Sequence, residues 1–347
     1  MGNCCIENKA NARPFEYPEE LTIYIKEKDA FNKLIKKDII TFNVTSPSYQ
    51  FNDKFKIKSL SFDVSACVIP GLDPRQLVNK ECQDSLICVE NQSTILLALF
   101  DGHGKEGQRV VNFCCSFMKN YFIENYQSFV SSPKEAVENI IVNCDMALRS
   151  SSSKVEAKLS GTTGVVVYID SQGFHAASVG DSRAILATVP NNNIMLENNE
   201  ISRGPYVRKI NVQRILKPVS LTVDQKPNHE NELKRIEACG GKVQQLTDDF
   251  GNRIGPFRVW QSNGILPGLA MSRSIGDGFG KEIGVIADPI YHFFQFSEFR
   301  DQFIVMASDG VWDVMENIEA VNFVEFFRKS CLKKHGPKAY PHRVSFI

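Results

Sequence analysis

No Cys-x-x-Cys pair occurs in this sequence, although it holds ten cysteines. That absence removes the commonest zinc and dithiol spacings. The adjacent pairs Cys4-Cys5 and Cys114-Cys115 are poorly placed to bridge each other. No apolar h-region follows the start, so no secretory signal is read, and a reduced, intracellular protein is expected. No run reaches the ~18 apolar residues of a spanning helix. Net charge is missing too, because 40 Lys plus Arg balance 40 Asp plus Glu. Such a chain offers nucleic acid no global field, and no nucleic-acid partner is expected. There is no internal repeat. A phosphate loop is excluded as well: Leu99 stands where its first glycine belongs and Glu106 where Ser or Thr belongs.

What is present begins with "MGNCCIEN". Gly2 suits N-myristoylation, and Cys4 and Cys5 suit S-palmitoylation; two acyl chains make a stable anchor where one does not. Ile6 stands where the usual pattern has Ser or Thr. Residues 1–50 read as an N-terminal extension. Within it, 19–40 carries Leu21, Ile25, Phe31, Leu34 and Ile35 near helical spacing, with Lys26, Lys28, Lys33, Lys36 and Lys37 between them. This is a basic helix, either a solvated face or a contact with anionic lipid beside the acyl chains.

From about residue 51 the pattern changes to short apolar runs. Strands are expected at 85–90, 94–100, 163–170, 174–180, 183–189 and 302–308. Helices are expected at 107–126, 132–150, 228–241 and 317–334 from i, i+3, i+4 spacing. Ser132-Pro133 suits a helix start and Gly240-Gly241 a helix stop. Residues 190–204 read as a polar loop. Strands, then two long helices, then more strands predict an α+β fold of antiparallel sheets covered by helices, with 347 residues allowing one large domain over 51–347.

Several carboxylates share one local context. Asp101 ends the run "TILLALF", Asp181 lies between two strands, Asp309 follows "FIVMAS", and Asp84 precedes a strand; Asp313 follows Asp309 closely. Converging carboxylates repel unless a hard cation neutralises them, and oxygen ligands suit Mg²⁺ or Mn²⁺. A single Asp-Gly after a strand is most often a plain turn; the constellation is what points to metal.

The stretches "LFDGHG", "SGTTGVVV", "SVGDSRAIL", "LTVDQKP", "PGLAMSRSIGDG", "VIADP" and "ASDGVWDV" follow one another over residues 55–328. In this order they resemble the metal-dependent serine/threonine protein phosphatases of type 2C. The resemblance implies a central antiparallel β-sandwich flanked by helices in α-β-β-α layers. It implies two Mg²⁺ or Mn²⁺ ions, with Asp181, Asp309 and Asp313 able to hold a weaker third. Asp101 would bridge the pair, the Gly102 carbonyl would join one ion, and Asp309 would hold the other. Asp84 and Gln83 would stand at the edge, Gln83 replacing a more usual Glu. His103 would protonate the departing oxygen of phosphoserine or phosphothreonine while a metal-bridging water attacks phosphorus directly. Asp277 would support the loop beside the site. The family's phosphate-gripping arginine aligns near Asn79, leaving Lys80 beside it as the phosphate contact and Arg75 further upstream.

No carboxylate side chain follows Glu325, so the late metal-binding aspartate and final strand of the family are expected to be missing. That sets an active phosphatase against a metal-weakened relative that binds phosphoproteins, with a phosphohydrolase of small substrates as a third reading. Phosphorylated proteins are the expected substrates of a monomer held at a membrane surface by its acylated start. Replacing Gly2 by Ala is expected to move the protein from the membrane to the soluble fraction of cells; an unchanged distribution contradicts acylation.

Overall fold

Strand alternation sorts the apolar residues of this chain into layers. The computed structural model describes residues 41–43, 49–57, 60–69, 72–73, 78–79, 81–190 and 215–335, all of them in the unit Lys36–Ile347. It opens with β1 (Thr41–Asn43), the hairpin β2 (Tyr49–Ile57) and β3 (Leu60–Val68), and the short pair β4 (Leu72–Asp73) and β5 (Val78–Asn79). The hairpin β6 (Asp84–Asn91) and β7 (Thr94–His103) leads into α1 (Gly107–Glu124), α2 (Tyr126–Ser131) and α3 (Pro133–Arg149). Next come β8 (Gly161–Thr162), β9 (Gly164–Ile169), β10 (Gly173–Val179), β11 (Arg183–Thr188) and β12 (Lys217–Ser220). Then follow α4 (Glu230–Ala238), β13 (Lys242–Thr247), β14 (Arg253–Trp260), β15 (Pro267–Leu269), β16 (Ile275–Gly276) and α5 (Gly278–Lys281). The last elements are β17 (Ile290–Gln295), β18 (Asp301–Ala307), α6 (Asp309–Trp312) and α7 (Asn317–His335).

One antiparallel sheet runs β1-β6-β7-β9-β10-β17, with β8 and β16 attached beside β7; a second runs β12-β11-β18. Along β7, Leu96, Ala98 and Phe100 join a core formed with Val110, Met118, Ile140 and other side chains of α1–α3. The alternate residues Ile95 and Leu97 join a different core with Ala184, Leu186, Ile304 and Met306 of the second sheet. The opposite face of that sheet, Ile185, Phe303 and Val305, packs on Val321 and Val324 of α7. The layers are therefore helix, sheet, sheet, helix, as expected of the α-β-β-α sandwich.

The expected apolar strands correspond to β6, β7, β9, β10, β11 and β18, and the four expected helices are present. The first is interrupted at Asn125, whose side chain donates to the Tyr121 carbonyl. The hairpin β13–β14 was not expected, because it is largely half-buried or exposed and carries no apolar run. β1 lies inside the segment assigned to the extension and pairs with β6. The basic helix at 19–40 and nearly all of the polar loop at 190–204 fall outside the described residues. Among the described residues, the only strand that pairs with β18 is β11. A cavity of about 450 Å³ lies beside it, walled by residues that include Val64, Leu86 and Leu97, together with Asp84, Asp101 and Asp309.

A buried ionic knot fixes the chain between α4 and α5. Glu232, 5 % exposed, accepts hydrogen bonds from Arg273 (2.6 Å), Arg235 (2.7 Å) and the Ser272 hydroxyl (2.6 Å). Burial opposes its charge, but Arg273, Arg235 and Ser272 outweigh it and hold the carboxyl down at about 2. This depressed carboxyl stabilises the fold above pH 4.5 and loses that contribution as pH falls towards 2. Glu232→Ala is expected to cost about 3 kcal/mol, because two guanidiniums lose their partner. Urea unfolding at neutral pH reads the difference; a loss below about 1 kcal/mol, the range of exposed pairs, contradicts the assignment.

Candidate metal centre

The period of two that fills the core also places the acids. Asp101 shares the inter-sheet face of β7 with Ile95, Leu97 and Leu99. Asp84 shares the same face of β6 with Leu86 and Cys88. In the β6–β7 register Asp84 stands directly opposite Asp101. Like charges in that position destabilise a strand pair, so the sandwich edge carries a deliberate conflict. Asp309 arrives from the other sheet, at the first turn of α6 just after β18. It lines the same cavity as Asp84 and Asp101.

These groups do not ionise together. Burial first, then the charges of Asp84, Asp309 and Asp181, pushes Asp101 up to about 9. Burial also raises Asp84, against the pull of a hydrogen bond from the Ser308 hydroxyl at 2.9 Å. Asp309 is raised by burial and by Asp181 and Asp313. Asp181, 3 % exposed, has one oxygen 2.5 Å from the Lys226 ammonium; its other oxygen, Oδ1, is buried without a partner. Asp313 is exposed, one turn after Asp309, and its N–H donates to the Asp309 carbonyl at 2.8 Å.

The backbone around Asp101 is held tightly. Its N–H donates to the Thr163 hydroxyl (3.0 Å), and its carbonyl accepts the Thr163 N–H (3.0 Å). The Thr163 hydroxyl in turn contacts that of Ser182 at 2.7 Å. Gly102 donates to the Gln83 carbonyl at 3.0 Å, and a Cβ at Gly102 would fall 2.7 Å from that oxygen. Only glycine lets the strand end approach so closely. The Gln83 side-chain amide donates to the Gly104 carbonyl at 3.0 Å, which braces the turn after Asp101.

His103 lies two residues beyond Asp101 on the same strand face, a quarter exposed. Its Nε2 lies 2.8 Å from Asp277 Oδ2, and its Nδ1 is buried without a partner. Burial works against the imidazolium, but Asp277 outweighs it and raises the histidine. Asp277 is lowered: burial opposes its charge, and the charge and hydrogen bond of His103 prevail. Asp277 adopts a left-handed backbone, φ 51°, at the entry to α5. A Cβ at Gly161 would sit 2.1 Å from Asp277 Oδ2, so glycine is what admits the carboxylate beside β8. From α3, Asp145 holds the Gly276 N–H at 2.8 Å.

The structure thus brings together Asp84, Asp101, Asp309 and Asp181, with His103 and Gln83 at the side and Asp313 on the rim. Lys80, Arg75, Gly2, Cys4 and Cys5 lie outside the described residues. Sequence reasoning missed Thr163, Ser308 and Lys226, and it gave Asp277 only a supporting loop. The stretches "SGTTG" and "DQKP" carried those signals, yet each is a long-range partner with no periodicity of its own.

Among the described residues, no three His, Cys, Asp or Glu side chains form a ready-made ligand set. The donor set nevertheless fits a hard divalent cation: it is all oxygen, mutually repelling and partly buried, and Asp181 Oδ1 is orphaned. Mg²⁺ keeps several waters and needs only one or two carboxylates, so Asp101, Asp309, Asp84 and the Gly102 carbonyl are the groups that would hold ions.

With no ion bound, Asp101 carries a proton near neutral pH. Its raised carboxyl favours the fold fully below pH 3.8, and that contribution is lost as pH rises through about 9. Ion binding must displace this proton. Calorimetric titration with Mn²⁺ at pH 7.5 is expected to give heats that differ between Tris and Pipes, with a slope of about one released proton. Asp101→Asn should remove that difference and raise the Tm of the metal-free protein by a few degrees, about 1 kcal/mol or more. Equal heats in both buffers contradict the assignment.

The family model described as Protein phosphatase 2C matches residues 71–336. "Probable protein phosphatase 2C 34" of Arabidopsis thaliana is 33 % identical over 264 residues, covering 71 % of this chain and 66 % of its own length. "Probable protein phosphatase 2C 48" of Oryza sativa subsp. japonica is 32 % identical over 268 residues, covering 71 % of this chain and 69 % of its own length. The chain thus spans about two-thirds of the length of the curated relatives it matches. A crystal structure of serine-threonine phosphatase 2C from Toxoplasma gondii superposes with TM-score 0.59 at 19 % identity, covering 82 % of this chain and 89 % of the other. Sandwich, carboxylate cluster and family match agree: this chain belongs to the protein phosphatase 2C family.

Proposed function

We propose that this chain hydrolyses phosphoserine and phosphothreonine in proteins with Mg²⁺ or Mn²⁺ at the Asp101–Asp309 cluster. One observation carries the reading. Asp101 and Asp309, remote in sequence and carried in by different sheets, line one cavity together with Asp84, and a histidine with a free buried Nδ1 stands two residues along. Divalent ions held there would supply an activated water and a clamp on the attacking and leaving oxygens of an in-line displacement.

The chain's own residues do the rest. Asp101, whose raised carboxyl must lose its proton, and Asp309 would hold the ions, with Asp84 at the edge and Asp181 and Asp313 on the far side. Thr163 and Gly102 fix the Asp101 backbone, so the carboxylate meets the ions with little reorganisation. Asp277 favours the charged form of His103 through Nε2, which leaves an Nδ1 proton for the departing serine or threonine oxygen. No covalent intermediate on the protein is needed. Lys80 is the proposed phosphate contact. Acylation at Gly2, Cys4 and Cys5 is proposed to hold an intracellular monomer at a membrane surface.

Phosphate release from a phosphothreonine peptide with Mn²⁺, with and without chelator, tests this reading. Chelator and Asp101→Asn should each abolish turnover, and His103→Gln should lower kcat by about 10²–10⁴-fold. Asp277→Asn removes the charge that raises His103, so the alkaline limb of kcat should move to lower pH. A folded, Mn²⁺-binding protein without turnover would overturn the enzyme reading.

A further inference from the structure

Lys226 is not a surface lysine that happens to meet an acid. It follows Gln225, which is 1 % exposed and locked to the Asp181 turn from both sides. The Gln225 N–H donates to the Gly180 carbonyl at 2.9 Å, and the Gly180 N–H donates to Gln225 Oε1 at 2.6 Å. Gln225 Nε2 reaches the Val223 carbonyl at 2.6 Å. One residue earlier, Asp224 accepts both a 2.9 Å and a 2.7 Å hydrogen bond from Arg183. Arg183 itself lies over the Trp312 ring at 5.1 Å and donates to Asn317 at 2.6 Å. The Thr222 hydroxyl accepts the Ala184 N–H at 2.9 Å. Tethers at Thr222, Asp224 and Gln225 therefore present the residue-226 side chain to Asp181, and its ammonium lies 2.5 Å from Asp181 Oδ2.

The charges around that ammonium are Asp181, Asp224 and Asp313. Asp224 is already neutralised by Arg183. Asp181 and Asp313 are the carboxylates that, with Asp309, offer room for an ion beyond the Asp101–Asp309 pair. A divalent ion there needs the Asp181 carboxylate, whose Oδ2 Lys226 engages, and it would also face a fixed positive charge at contact distance. We propose that Lys226 is a built-in cation of the centre: its ammonium takes the place beside Asp181 that a third divalent ion would otherwise fill, so the protein holds two ions and not three. The inference rests on the metal reading of this site. Lys226 is a positioning residue, since it acts through Asp181 and touches neither substrate nor a reacting atom. Asp181 Oδ1 is left buried without a partner.

The test counts bound Mn²⁺ by equilibrium dialysis with metal analysis, and by the electron paramagnetic resonance of the bound ion, at a free concentration that saturates the wild-type protein. Two ions are expected for wild type and for Lys226→Arg, which keeps the charge. Lys226→Met should bind three, its third ion at least tenfold more tightly than any further ion on wild type, and Asp181→Asn in that background should return the count to two. Lys226→Gln repeats the count should the methionine variant fail to fold, with circular dichroism reporting folding. A lysine with only a packing role would lower stability in Lys226→Met and leave two ions bound. Three ions on wild type, or two on a folded Lys226→Met, overturn the inference while leaving the metal reading intact. No Mn²⁺ bound to wild type overturns both.

Discussion

Asp84 and Asp101 face each other across a strand pair at the end of a packed sandwich, and much of the site's local structure is organised around that repulsion. Asp309 and Asp181 join them from the second sheet and the turn before it, which deepens the conflict. A fold tolerates such a cluster only if protons or cations neutralise it. The proton on Asp101 and the ammonium of Lys226 are the two neutralising devices built into the chain; divalent ions are the third, and they come from solution. The cost of assembling the acids is thereby converted into affinity for hard cations.

Rigidity comes from partners that are not themselves acids. Thr163 grips both backbone groups of Asp101. Gly102 and Gly161 admit close approaches that any side chain would block. Asp145 and the Glu232–Arg235–Arg273 knot pin the chain that carries Asp277 to His103. These contacts join α3, α4 and the strands beside β7, so the histidine's charge state depends on packing well away from it. Asp277, held at φ 51° by that packing, is where local backbone preference yields to the demands of the site.

The layers were legible because burial writes itself as periodicity. The run 94–100 alternates between a helix-facing and an inter-sheet core, and the same parity carries on to place Asp101 inward. The strand ends bearing Asp84, Asp101, Asp181 and Asp309 could be read together for the same reason. The hairpin β13–β14 escaped, since its exposed, polar strands are specified by pairing and not by a buried face. The His103–Asp277 pair escaped for another reason: its partners are 174 residues apart, and nothing in either local sequence announces the other. Lys226 sat within a recognised stretch, but its role appears only when the turn after β10 is brought against the segment after β12.

The claim on which this account stands is that Asp101 and Asp309 jointly hold a pair of divalent ions. Anomalous diffraction from crystals of the protein grown with Mn²⁺ addresses it most directly. The account predicts two peaks, both about 2.1 Å from Asp101 oxygens or the Gly102 carbonyl and one of them also in reach of Asp309. Peaks confined to other parts of the molecule, or an Asp101 carboxylate with no ion beside it, would contradict it.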